Sequence, residues 1–290
     1  MPEARDPSLA RKPETPVAEG WDPVAERWDA WSKVTDELFS PATMSLLEML
    51  DLKPGERVLE LAAGSGGLTL HLARAVGGKG DVLATDLGPK MLQLAAHNAR
   101  VAGLSNVSTR VMDGENPDLP DNSVDAAACR QGLMLFPHPL AALEGLFRIV
   151  QPGGRVAVSV FTTPERNGFL MTPMGALARW SKPENDKAAD GPGPFSLGAP
   201  GKLEGLFLRA GYRDVRSRIA SSSFRAASTD DFVRFYREVL PGLAADVPEG
   251  EREEAWASVA AAVAKYAQAG GGGAPCELLI VSGHKPAMTR

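Results

Sequence analysis

From Asp22 onward, Val24, Trp28, Trp31, Thr35 and Leu38 recur at three- and four-residue steps, with Glu26, Arg27, Asp29 and Lys33 between them. That spacing predicts an amphipathic helix. Pro41 opens a second one, with Met44, Leu47 and Leu50 on one face, and Lys53-Pro54-Gly55 ends it in a turn. The period then shortens. Arg57–Leu61, Asp81–Asp86, Val107–Asp113, Asp125–Cys129 and Arg155–Phe161 read as strands, and Leu68–Val76, Pro89–Ala102 and Pro139–Val150 as helices between them. Strand and helix alternating through short loops predict right-handed crossovers and a parallel sheet covered on both faces. After Phe161 the rhythm breaks into a Pro- and Gly-rich stretch with a helix near Met174–Trp180. Helices are predicted again at Leu203–Ala210, Thr229–Val239 and Glu249–Ala269, and strands at Asp214–Phe224 and Cys276–Gly283, with Gly270–Gly273 a flexible loop.

These elements divide the chain. Residues 1–20, rich in Pro, Glu, Arg and Lys, read as a disordered arm. Residues 21–53 form an N-terminal helical lid, 54–163 a ligand-binding core, 164–202 a cap or mobile insertion, and 203–290 the rest of the core with inserted helices. Charge adds little. The net charge of −5 lacks the basic surplus of a nucleic-acid binder, and the cluster Arg213, Arg216, Arg218 and Arg225 reads as a solvated strand face. Cys129 and Cys276 are too few and too far apart for a disulfide framework or a metal cluster. No apolar run suggests a signal peptide or a membrane span, so a cytoplasmic protein is expected.

The chemistry gathers where the first strand ends. Ala62-x-Gly64-x-Gly66 joins that strand to a helix, and glycines there let backbone approach a ligand closely. Many nucleotide folds share such a loop. Glu60, just before it, stands where a dinucleotide's pyrophosphate would lie and would repel it. Thr69 occupies the place of a third glycine or alanine, and no Gly-Lys-Ser/Thr follows. A ligand with a ribose, an adenine and a positively charged amine suits Glu60 better, and S-adenosylmethionine is such a ligand. Asp86 ends the second strand, where an acid can take both ribose hydroxyls or cap the next helix, two roles that are compatible. Asp113-Gly114 can meet the adenine edge. Leu87 and Met91 can supply apolar contact, with helix core the competing reading for Met91.

Together these residues resemble a class I S-adenosylmethionine-dependent methyltransferase, over roughly Trp21 to Phe161. Val58-Leu59-Glu60-Leu61-Ala62-Ala63-Gly64-Ser65-Gly66 is similar to the family's first motif, with Ala62 where glycine is common. Thr85-Asp86-Leu87-Gly88-Pro89-Lys90-Met91-Leu92 resembles the second. Asp113-Gly114-Glu115-Asn116, with Leu119 to Asp125, resembles the adenine-side motif, and Val150-Gln151-Pro152-Gly153-Gly154-Arg155 the turn before strand five. Trp21 to Asp29 is similar to the N-terminal lid of quinone-biosynthesis and small-metabolite methyltransferases. The resemblance implies a doubly wound, Rossmann-like α/β fold: seven strands, mostly parallel, the last antiparallel. It also places the cofactor's ribose at Asp86, its adenine at Asp113 and Gly114, and its amino-acid end at Glu60, Gly64 and Arg130, where the family mainly uses the backbone carbonyl.

The implied reaction moves the methyl of S-adenosylmethionine to a small, apolar or aromatic metabolite, with O- or C-methylation favoured. A non-methylating use of the cofactor, such as cyclisation, is the alternative. No metal is called for. His138, in the loop after strand four, and Gln131 are the candidate catalytic residues, as base and as orienting group. Trp28 and Trp31 can cover the sulfonium or pack as core. Phe169, Met171, Met174 and Trp180 suggest an apolar acceptor pocket. The sequence leaves the oligomeric state open, a homodimer included.

Overall fold

The computed structural model describes residues 21–180, 191–267 and 272–287. The N-terminal arm, much of the Pro/Gly-rich insertion and part of the Gly270–Gly273 loop lie outside these residues. Seven strands form one sheet: β1 (Arg57–Leu61), β2 (Asp81–Asp86), β3 (Val107–Val111), β4 (Val124–Arg130), β5 (Val150–Phe161), β6 (Arg213–Phe224) and β7 (Ala274–His284). Their order is β3-β2-β1-β4-β5-β7-β6. The first five pair in parallel, and β7 runs antiparallel to both β5 and β6. This is the architecture the sequence implied.

Small side chains explain the centre of the sheet. Ala126, Ala127, Ala128 and Cys129 on β4 and Val156, Ala157 and Val158 on β5 are fully buried, as strands covered on two faces must be. At β5 the expected turn is a bulge. Val150 pairs with Val124, the chain loops out through Pro152-Gly153-Gly154, and the ladder resumes at Arg155 opposite Ala126.

The lid departs from the sequence pattern. A 3-10 turn at Asp22–Val24 leads into α1 (Ala25–Ala30), and the chain breaks at Trp31 rather than before Pro41. Helix α2 (Ser32–Leu50) runs straight through Pro41. Proline removes one backbone bond and costs ~3 kcal/mol in a helix interior. Burying Leu38, Phe39, Leu46 and Leu50 returns about 1.5–3 kcal/mol for each side chain, so packing against β5, β6 and β7 decides the outcome. Trp31 sets the break because it is anchored elsewhere. Its indole N–H donates to Glu238 at 2.6 Å, and its ring stands edge-on to Phe235 at 5.3 Å.

The remaining helices are α3 (Gly67–Val76), α4 (Pro89–Val101), α5 (Pro139–Ile149), α6 (Gly168–Leu177), α7 (Lys202–Arg209), α8 (Thr229–Val239) and α9 (Arg252–Ala267). Helix α6 replaces the one expected near Met174–Trp180. It packs on α9 and β7, with Phe169 buried among Phe161, Phe224, Phe235 and Tyr236. Helix α6, part of the stretch read as a cap, therefore contributes to the core.

Arg155 pins the end of α2 to the sheet. Its guanidinium meets both oxygens of Glu56, at 2.8 and 2.5 Å, and donates to the Leu50 and Asp51 carbonyls. The pair is only 11% and 18% exposed. Removing the arginine leaves the two carbonyls without this donor and the Glu56 carboxylate with the Lys53 N–H but no cation. Arg155→Met is expected to lower stability by about 3 kcal/mol, measured by urea unfolding followed through tryptophan fluorescence.

Candidate active site

β1 and β4 are neighbours at the point where strand order reverses, and ligands of such sheets bind beyond the carboxyl ends there. A cleft of about 1080 Å³, counting its open mouth, lies at that point. Of the residues singled out in the sequence, Trp28, Glu60, Ala62, Gly64, Asp86, Leu87, Met91, Gly114, Arg130 and Gln131 all line it.

The loop after β1 turns through left-handed backbone at Ala62 (φ 53°), Gly64 (φ 56°) and Gly66 (φ 94°). Gly66 does not line the cleft. It allows α3 to start hard against α4, where a Cβ would stand 3.1 Å from Ala95. Ala62 holds its unusual conformation because its neighbour yields: a Cβ at Gly132 would lie 2.4 Å from that of Ala62.

The Asp86 carboxylate organises this loop. Its two oxygens accept from the Gly64 and Gly88 N–H groups, each at 2.9 Å, which leaves lone pairs for further donors. Burial raises its pKa, and those backbone donors oppose the rise. Glu60 is almost fully enclosed. The Thr69 hydroxyl donates to its carboxylate at 2.6 Å, which gives a role to the residue standing where the sequence pattern asked for glycine. Burial pushes the Glu60 carboxyl up to about 8, against the Thr69 bond and the nearby Arg130 charge.

The lid closes one side. Trp21 and Trp28 meet edge-to-face at 5.3 Å, and the Trp28 indole nitrogen approaches Gly64. One amide ties lid to loop: Asn98 donates to Asp29 at 2.7 Å and to the Ser65 carbonyl at 3.0 Å. Opposite, Phe136 covers Gly114, where any side chain would strike the ring. Gln131 takes a left-handed conformation (φ 60°) just beyond β4. Its amide donates to the Ser159 hydroxyl at 3.1 Å, and its buried Oε1 has no protein partner.

Two further assignments fall outside the cleft. The Asp113 carboxylate accepts from the Glu115 N–H at 2.9 Å and serves its own turn, so Gly114 alone of that pair is part of the lining. His138 is exposed at the start of α5, with its backbone N–H bound to Glu115. The short 3-10 turn at Leu133–Leu135 carries the chain past the mouth before it reaches His138. Trp31 is likewise core rather than lining. Sequence reasoning missed the inner stripe of α2: Ser32, Thr35, Asp36 and Phe39 line the cleft at the i, i+3, i+4, i+7 spacing of one helix face. That signal was present, but an apolar period through Thr35 and Leu38 obscured it.

Residues 58–154 match the profile of a methyltransferase domain family. Nocamycin O-methyltransferase of Saccharothrix syringae is 29% identical over 205 residues, covering 68% of this chain and 73% of that protein. The ubiquinone/menaquinone biosynthesis C-methyltransferase UbiE of Pseudomonas aeruginosa is 34% identical over 122 residues, 42% of this chain and about half (48%) of that one. In fold, the chain is similar to the crystal structure of the [4+2]-cyclase SpnF, with a TM-score of 0.56 at 20% identity over 91% of this chain and 96% of that one. Residues 58–154 are thus a methyltransferase domain. The chain is an S-adenosylmethionine-dependent methyltransferase, and its cofactor is S-adenosylmethionine. Among the described residues, no helix is long and apolar enough to cross a membrane.

The residues present fit that cofactor: a carboxylate with spare lone pairs at Asp86, glycines where a bulky ligand must pass, and acidic groups for a cation. The buried Glu60 has a measurable consequence. Its folded-state value of about 8 lies above the ordinary 4.5, so folding retains a proton that the unfolded chain releases. This stability contribution is complete below pH 4.5 and falls away as pH rises to about 8. Melting of the cofactor-free protein is expected to decline over that range, and Glu60→Gln to flatten the decline, as followed by calorimetry.

Proposed function

We propose that the enzyme methylates a small apolar or aromatic metabolite at oxygen or carbon, in the cytoplasm. The observation that carries this reading is the composition of the cleft beyond the cofactor residues. Phe39, Leu135 and Phe136 face the two lid tryptophans there, and the described lining contains no His, Tyr, Lys or Cys. Such walls favour a flat apolar acceptor. The relatives, an O-methyltransferase and a quinone-pathway C-methyltransferase, support the same range of acceptor atoms.

When bound, S-adenosylmethionine supplies a methyl already activated on a sulfonium. The chain's task is placement. Asp86 accepts the ribose hydroxyls, and Gly114 under Phe136 admits the adenine edge. Trp28 offers an aromatic face to positive charge. Holding the acceptor in line at near-contact distance supplies roughly 7–11 kcal/mol of the barrier. With no histidine in the described lining, the acceptor brings its own acidity. Gln131, which lines the cleft with its amide anchored to the Ser159 hydroxyl, orients an acceptor hydroxyl.

Asp86→Ala is expected to weaken S-adenosylmethionine binding by more than about tenfold, measured by calorimetry, since it removes hydrogen bonds to a charged acceptor. Incubation of a metabolite library with isotopically labelled methyl donor, followed by mass spectrometry, tests the reaction. The reading expects one labelled methyl on an aromatic or enolic product. A product that changes without gaining the label points to cyclisation and overturns it.

A further inference from the structure

β6 is the last strand of the sheet, and among the described residues β7 is its only strand partner. The outer backbone of an edge strand is a template for another strand, and proteins commonly blunt it by keeping it short, charged or covered. This edge is 12 residues long. Beyond an irregularity between Arg213 and Arg216, its ladder is regular from Arg216 to Phe224. Within that run Ile219 is 52% exposed.

The charge of the run is one-sided. Arg216 and Arg218 stand at its start, and Ile219-Ala220-Ser221-Ser222-Ser223-Phe224 carries no charge. Arg213 and Arg225 lie outside it. An antiparallel copy of the same strand, turned about Ile219, sets Arg218 opposite Ala220, Ser217 opposite Ser221 and Arg216 opposite Ser222. No arginine of the run then faces another. Turned about Ser217, the same strand would set Arg216 against Arg218, and like charges directly opposed are destabilising.

The side chains on both faces agree with the first arrangement. Arg218 pairs with Glu48 on α2. By alternation, Arg216, Arg218 and Ala220 share the α2 face, and Ser217, Ile219 and Ser221 share the other. All three of the latter are exposed. On the α2 face, Met44 lies one turn before Glu48 on the same flank and is exposed as well. Apolar side chains thus stand open on both sides of one edge.

We propose that β6 pairs with itself: two copies of the chain join antiparallel about a two-fold axis at Ile219, and one sheet runs through both. The axis sets Ile219 beside its counterpart as a cross-strand apolar pair and turns the two Met44 flanks toward each other. Such an interface is isologous and closes as a dimer.

Sedimentation velocity of the full chain at micromolar concentration is expected to show that dimer. Ile219→Lys opposes two ammonium groups at the axis and is expected to raise the dimer dissociation constant by at least about tenfold. No β6 residue is part of the described cleft lining, so the affinity for S-adenosylhomocysteine, measured by calorimetry, stays unchanged and shows that the variant is folded. Should that affinity be lost, cysteine variants carry the test. Directly opposed residues have Cα atoms about 4.5–5.5 Å apart, within disulfide reach, so Ile219→Cys is expected to give a reducible cross-linked dimer under mild oxidation. Ser217 lies four residues along from its counterpart, about 14 Å, and Ser217→Cys is expected to give none. Cys129 and Cys276 are buried and leave the wild-type control uncross-linked. A wild-type monomer, a dimer that Ile219→Lys does not weaken, or a dimer that Ile219→Cys fails to cross-link while Ser217→Cys succeeds or fails alike overturns the proposal.

Discussion

β1 and β4 lie side by side, yet the chain must leave them in opposite directions. After β1 it enters α3, which packs with α2 and α4; after β4 it enters α5, which packs with α7 and β5. Right-handed crossovers on a twisted parallel sheet enforce this divergence. The gap it opens is the cleft, and every group of chemical interest sits on its rim or its floor. No single side chain creates the site. The side chains decide what enters a space that the topology has already made.

What they decide is charge. Asp36 and Asp86 bring carboxylates to one cleft beside the enclosed Glu60 carboxyl, with Arg130 as the cation facing them. Such a set repels phosphates and welcomes a cationic nucleoside. The acids are graded by burial. Glu60 is almost fully enclosed and its carboxyl is held up to about 8. Asp86 is held by two backbone donors at the mouth, and Asp36 remains partly in water. Similar groups thus acquire different tasks through their surroundings.

Much of this was legible in the sequence because it depends on local pattern. The five parallel strands follow from apolar runs bounded by turns, and the glycine loop and the acids at strand ends from spacing alone. Features set by distant contacts were not. Trp31 breaks the lid helices because Glu238, more than two hundred residues later, holds its indole. Pro41 fails to break them because the sheet lies beneath. Asp113 satisfies its own turn instead of facing the cleft. Asp36 went unnoticed because its importance lies in facing Arg130, a neighbour in space but not in sequence.

The contact between Ala62 and Gly132 couples two loops that belong to different strands. With a methyl at position 62, position 132 has no room for one; the next obstruction to a side chain there is the Cys129 sulfur, at 3.0 Å. The two sites therefore cannot drift independently. Loss of the alanine methyl relaxes the demand at 132, whereas a larger residue at 132 must wait for that loss. Descendants of this protein are thus expected to change these positions as a pair and in a fixed order.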